Sequence, residues 1–133
     1  MTRVMIVEDE AIVAAELWQN LEHLGYQVIA STDMGIDAII LALENRPDLI
    51  LMDIALKGEM DGIETASHIK HLTDIPIIYM TAFSDQKTLN RAKTTAYFGY
   101  ITKPFYNKEL DSKLQMALLK HKKINTQKAK DTI

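Results

Sequence analysis

The 133-residue chain has no cysteine, which removes disulfide frameworks, thiolate zinc sites and cysteine nucleophiles together and leaves any chemistry to oxygen and nitrogen groups. It has no long apolar run. Stretches such as Ile75 to Met80 fall far short of the roughly 20 residues that a membrane-spanning helix needs. A secretory leader is not expected, since the N-terminus turns acidic at Glu8-Asp9-Glu10 after only four apolar residues, without a small-residue cleavage site, and a cytoplasmic protein is the expectation. It also lacks a basic body. Residues 119–133 carry five lysines against Asp131, net +4, and the overall charge of −3 therefore leaves −7 for residues 1–118. An acidic body is a poor partner for phosphate backbones, which argues against direct nucleic-acid binding. What the chain does have is 47% hydrophobic content, sufficient for one self-contained domain burying about two-thirds of its unfolded surface. That domain is expected over residues 2–122, with 123–133 a basic polar tail, frayed or the start of a truncated linker.

Hydrophobic periodicity alternates along the domain. Arg3 to Val7 is a near-continuous apolar run suited to a strand covered on both faces. Ala14, Leu17, Trp18, Leu21 and Leu24 then fall at spacings of three and four, and Gly25 is a helix stop. The unit repeats. Strands are expected at 26–30, 49–52, 76–80 and 97–102. Helices are expected at 35–44, with Ile36, Ile39, Ile40 and Leu43 in register, after the glycine-containing loop 57–62, at 85–96 and at 107–121. The helix at 85–96 offers few apolar positions and three threonines, so it should be weak. Five strands alternating with five helices predict an α/β, doubly wound parallel sheet of order 2-1-3-4-5, with helices on both faces and any ligand beyond the carboxyl ends of the strands.

Those ends carry Glu8, Asp9 and Glu10 after the first strand, Asp53 after the third, Thr81 after the fourth and Lys103 after the fifth. Glu8, Asp9 and Asp53 at neighbouring ends crowd like charges unless a cation relieves them. Magnesium suits that role, since it takes carboxylate oxygens and waters and bridges to phosphate. A carboxylate is also a nucleophile toward phosphorus. Lysine supplies a point charge and threonine a hydroxyl for the phosphoryl oxygens.

Taken together, Glu8-Asp9, Leu51-Met52-Asp53-Ile54, Asp61-Gly62-Ile63-Glu64, Met80-Thr81-Ala82 and Tyr100-Ile101-Thr102-Lys103-Pro104-Phe105 resemble the receiver domain of response regulators in two-component signalling, over residues 2 to about 122. The resemblance implies the flavodoxin-like form of this fold. It implies Asp53 as phosphoacceptor and Asp9 as a direct magnesium ligand. Glu8 would be a ligand through water, the Ala55 carbonyl a further ligand, and Thr81 and Lys103 would hold the phosphoryl group. It further implies a switch in which Thr81 moves inward and Tyr100 turns from outside to inside, a cis Lys103-Pro104 bond, and an influence of Ala55 and Phe83 on phosphoryl lifetime. The implied partner is a sensor histidine kinase or phosphotransfer protein, and the sequence leaves open whether phosphorylation brings a homodimer. One departure stands out: Ile54 to Asp61 is one residue longer than is common in the family and lacks its proline.

Plainer readings exist for single residues. Asp9 is a good helix cap, and Asp53 and Thr81 are ordinary loop and cap residues in isolation. His68 and His71, at i and i+3 without a third ligand, are read as solvated. Two other functions compete. A haloacid-dehalogenase-type phosphatase would need a second acidic residue two after the nucleophile, where this chain has Ala55. A pseudo-receiver that only binds partners would not need all four phosphorylation positions filled.

Overall fold

In the computed structural model, which describes residues 1–82, 86–93 and 98–132, the chain alternates strand and helix throughout. The elements are β1 (Arg3–Val7), α1 (Ala11–His23), β2 (Gln27–Thr32), α2 (Gly35–Asn45), β3 (Leu49–Asp53), α3 (Gly62–Leu72), β4 (Ile77–Thr81), α4 (Gln86–Lys93), β5 (Tyr100–Thr102) and α5 (Asn107–Thr132). The strands form one parallel sheet of order β2-β1-β3-β4-β5, as the alternating pattern predicts. Phe83, the expected start of the fourth helix at Asp85 and residues 94–97 lie outside the described residues.

Central strands β3 and β4 are buried at every position because helices cover both faces. On one face α2 and α3 enclose Met5, Ile50, Met52, Ile63, Ile69 and Tyr79. On the other α1 and α5 enclose Ile6, Leu17, Leu21, Leu51, Ile78, Leu110 and Leu114. No helix among the described residues is long and apolar enough to cross a membrane.

Two elements depart from the periodicity. In α2 the buried positions are Gly35, Ala38 and Ala42, while Ile36, Ile40 and Leu43 face outward and only Ile39 and Leu41 pack partly inward. The reason is proximity: a Cβ on Gly35 would lie 2.3 Å from Thr65 Oγ1 of α3, so this helix pair meets through small residues. In α5 the helix does not stop at His121 but continues to Thr132. Bonds at i, i+4 spacing support the extension, with Thr126 Oγ1 donating to the Lys122 carbonyl at 2.9 Å and Gln127 Nε2 to Asp131 at 2.9 Å. Asn125 also contacts His121 at 3.4 Å. Lysine, alanine and glutamine are good helix formers even without an apolar stripe.

Candidate functional site

The parallel register sets the candidate residues beside one another. Val7 pairs with Met52 and Asp53 with Met80, so the chain leaving β1 at Glu8-Asp9 and the last residue of β3 sit at one edge. Thr81 pairs with Thr102, and the Lys103 N–H donates to the Thr81 carbonyl at 2.7 Å. The carboxylates of Glu8, Asp9 and Asp53 each bring one oxygen within 4.8 Å of the others, the one such acidic or histidine cluster among the described residues. His68 and His71 are both exposed on α3 and outside it.

Each member has a defined anchor. Asp53 Oδ1 accepts the Ala55 N–H at 2.9 Å, leaving Oδ2 at 3.3 Å from Lys103 Nζ. Asp9 does not cap α1: the N-cap is Glu10, without a side-chain bond, and Asp9 Oδ2 instead accepts the Lys57 N–H at 3.1 Å. The longer β3–α3 loop is thus tied to the acidic pocket through its backbone, and it turns at Gly58, whose φ of +101° lies in the region that favours glycine. Lys103 Nζ also forms a short ion pair with Glu8 Oε1, a pairing that no sequence pattern indicates. Lys103-Pro104 is a cis peptide.

Burial makes the charges matter. Glu8 is only 2% exposed and Asp53 is 4% exposed. Desolvation, then the hydrogen-bonding proximity of Asp53, push the Glu8 carboxyl up to about 7, against the opposing pull of Lys103. Burial also works to lower the Lys103 ammonium, but the Glu8 bond and the charges of Asp53 and Glu8 outweigh it and hold the lysine above its ordinary value. Three carboxylates cluster here, and one lysine pairs with only two of them, Glu8 and Asp53. Such a short-range excess of oxygen donors and negative charge fits a hard divalent cation such as magnesium.

The Asp61-Gly62 pair has a steric role that its motif status does not reveal. A Cβ on Gly62 would lie 1.9 Å from the Asp53 carbonyl oxygen and 2.8 Å from Ile54 Cα, because the start of α3 presses on the end of β3. Gly62 N–H donates to the Ile54 carbonyl at 3.0 Å, and Asp61 closes a reciprocal cap with Glu64. Arg91 of α4 reaches Asp61 at 3.0 Å, and Ala92 is buried against the same core. Thr81 is buried at the end of β4. Tyr100 faces outward at 40% exposure, with Lys113 Nζ 5.8 Å from its ring centre.

This is the sheet and strand-end geometry of receiver domains, and comparison with known proteins agrees. The response regulator receiver domain model matches residues 4–115. Over 122 residues, 92% of the chain, it is 34% identical to the transcriptional regulatory protein PdtaR of Mycobacterium tuberculosis, of whose length it spans 59%. Among solved structures, the signal receiver domain of a modulated diguanylate cyclase from Desulfovibrio desulfuricans is 41% identical, with a TM-score of 0.87 over 92% of this chain and 97% of that one. The receiver domain of the sensor histidine kinase PA1611 from Pseudomonas aeruginosa, which carries a magnesium ion in its active-site cleft, is 30% identical, with a TM-score of 0.80 over 88% of this chain and 97% of that one. The chain belongs to the response regulator receiver domain family, and its fold is the flavodoxin-like sheet of that family.

Proposed function

We propose that this domain is a phosphorylation-dependent signalling switch whose phosphoacceptor is Asp53. The observation that carries the reading is the arrangement around Asp53: one oxygen fixed by the Ala55 N–H, the other facing Lys103, with Glu8 and Asp9 alongside. An Asp53 oxygen attacks the phosphorus of a phosphohistidine or acyl phosphate. The donor's P–N or P–O bond breaks, and its electron pair leaves with the donor. Lys103, already between Glu8 and Asp53, follows the phosphoryl oxygens as negative charge accumulates beyond the strand ends. Thr81 donates its hydroxyl to one of them. Glu8, Asp9, Asp53 and the Ala55 carbonyl are the residues that would hold magnesium. When bound, that ion supplies positive charge to both the carboxylates and the phosphoryl oxygens.

The added charge of about −1.5 to −2 must bias an element already poised between states. Tyr100 on the three-residue edge strand β5, beside α4 and α5, is the candidate reporter. The partners that fit are a sensor histidine kinase or a phosphotransfer protein. Their docking surface would be the hollow of about 480 Å³ between α1, at Val13 and Leu17, and Lys103 to Phe105, which shares Lys103 with the pocket. A homodimer through the α4, β5 and α5 face is the associated output. The domain catalyses only its own phosphorylation and slow dephosphorylation, with Ala55 and Phe83 contributing to phosphoryl lifetime.

Intact mass after incubation with magnesium and a small acyl phosphate tests the reading. The expected result is a metal-dependent, base-labile gain of one phosphoryl group, absent in Asp53→Asn. No gain from either an acyl phosphate or a phosphorylated kinase would overturn it in favour of a partner-binding pseudo-receiver.

A further inference from the structure

Two surfaces outside the phosphoacceptor pocket complement each other. The first is the outer face of α2. Ile36, Ile40 and Leu43, at i, i+4 and i+7, form one helical stripe, and with the N-cap Met34 each is between 37% and 50% exposed. Exposed acids Asp33, Asp37 and Glu44 flank it, against one exposed base, the C-cap Arg46, so the surface is net negative. A contiguous aliphatic stripe of this kind marks a contact surface rather than scattered exposed residues.

The second is a groove of about 450 Å³ where the extended part of α5 passes the end of α3. Phe98 and Ile124 supply its apolar floor and Lys70, Lys120 and Lys123 its rim. Its acidic residue, Asp74, is occupied by His121 at 3.1 Å, and His121 stands edge-on to Phe98. The groove is therefore apolar inside and positive outside. The α2 stripe is apolar inside and negative outside.

The two cannot meet within one chain. Helix α2 packs on β1, β2 and α3, whereas α5 packs on β4 and β5 at the other half of the sheet and on its opposite face. Nor does the stripe suit its own copy across a two-fold axis, since antiparallel α2 helices would set Asp37 beside Glu44 of the second chain. We infer that the α2 stripe of one copy docks, as a helix in a groove, into the Lys70, Lys120 and Lys123 groove of a second copy. Such a contact is heterologous: every copy keeps one unused surface of each kind, so association runs head to tail and does not close at two.

Sedimentation of the 133-residue chain against concentration tests this, at about 0.02 M and about 0.5 M salt, where the screening length falls from roughly 20 Å to roughly 4 Å. At low salt the average mass should rise past that of a dimer as concentration increases, and high salt should weaken the association at least about tenfold. Neither magnesium, nor a phosphoryl donor, nor Asp53→Asn should alter it. That separates this contact from any dimer made by phosphorylation and leaves it standing or falling independently of Asp53 chemistry.

The decisive experiment uses blocked halves. Ile40→Glu spoils the stripe and Lys123→Glu spoils the groove, so each variant alone should be monomeric, while their mixture should form a one-to-one dimer and stop there. Circular dichroism verifies that both fold. Should either fail to, a charge swap replaces them: Asp37→Lys with Glu44→Lys in one chain, Lys120→Glu with Lys123→Glu in the other, each monomeric alone and associating when mixed. A wild-type chain that stays monomeric, one that closes at two copies, or blocked variants that do not pair in the mixture would overturn the proposal. Monomeric wild type that binds some other protein through α2 would overturn it equally.

Discussion

The carboxyl ends of β1 and β3 lie beside those of β4 and β5, yet the two pairs are built differently. Glu8, Asp9 and Asp53 emerge from strands whose inner residues are wholly buried, and each carboxylate is tied by a backbone N–H: Glu10 to Glu8, Lys57 to Asp9, Ala55 to Asp53. At the other pair, β5 has three residues, Tyr100 stands outside, and α4 is held to α3 by the partly exposed Arg91 to Asp61 bridge. The central pair fixes charge in one geometry. Strand β5 is short and is paired on one side only, so it is the place to look for a response to added charge. The difference is a division set by sheet position: the three carboxylates follow strands flanked on both sides, and the outward tyrosine stands on the edge strand.

That division is open to attack at several points. Asp53→Asn should have the largest effect, complete loss of phosphoryl uptake by intact mass with the fold unchanged, since asparagine keeps the shape and removes the proposed nucleophile. Gly62→Ala comes next. Its methyl group meets backbone rather than a yielding side chain, so urea unfolding should show a loss of about 3 kcal/mol; a loss under about 1 kcal/mol would mean that the α3–β3 junction is looser than its geometry.

Lys103→Met retains the stem and deletes the charge that Glu8 and Asp53 share. Phosphorylation by a small donor should slow by about ten- to a hundredfold, the range for one stabilising group, with little change in unfolding midpoint once magnesium is present. Tyr26→Phe probes a tie away from the pocket. Its hydroxyl donates to Asp111 at 2.6 Å, and the variant should lose about 1 to 2 kcal/mol near neutral pH. Burial, then Asp111, raise the Tyr26 phenol above its ordinary value. The proton is therefore held more tightly in the folded state, and the stability this confers is full below about pH 10 and declines above it. Denaturation curves at pH 8 and at pH 11 should show the gap between wild type and variant shrinking at the higher pH. Tyr100→Phe should have the smallest effect, within about 0.5 kcal/mol of wild-type stability, because the hydroxyl lies on an exposed ring. A larger loss would place Tyr100 among the fixed parts and erase the contrast between the two strand pairs.

Much of this was legible in the residues. Unbroken apolar runs at Val4 to Val7 and Leu49 to Met52 mark strands covered on both faces, and an acid following each places the pocket. The α2 helix was legible as a helix but not in orientation. Periodicity records where large aliphatic side chains recur, whereas which face turns inward depends on how closely Gly35 and Thr65 approach. The extension of α5 was hidden for a related reason, since a polar helix held by propensity and i, i+4 bonds carries no apolar stripe.

By itself, then, the sequence determined the alternation of elements, the parallel sheet and the residue types at the strand ends, because these follow from local hydrophobic period and from where each run stops. Tertiary structure alone decided that Lys103 pairs with Glu8 as well as Asp53, that Asp9 anchors the Lys57 backbone instead of capping α1, that Gly62 must be glycine, and that α2 presents its aliphatic stripe outward. Those are matters of distance between segments remote in the chain, which packing sets and local pattern does not contain.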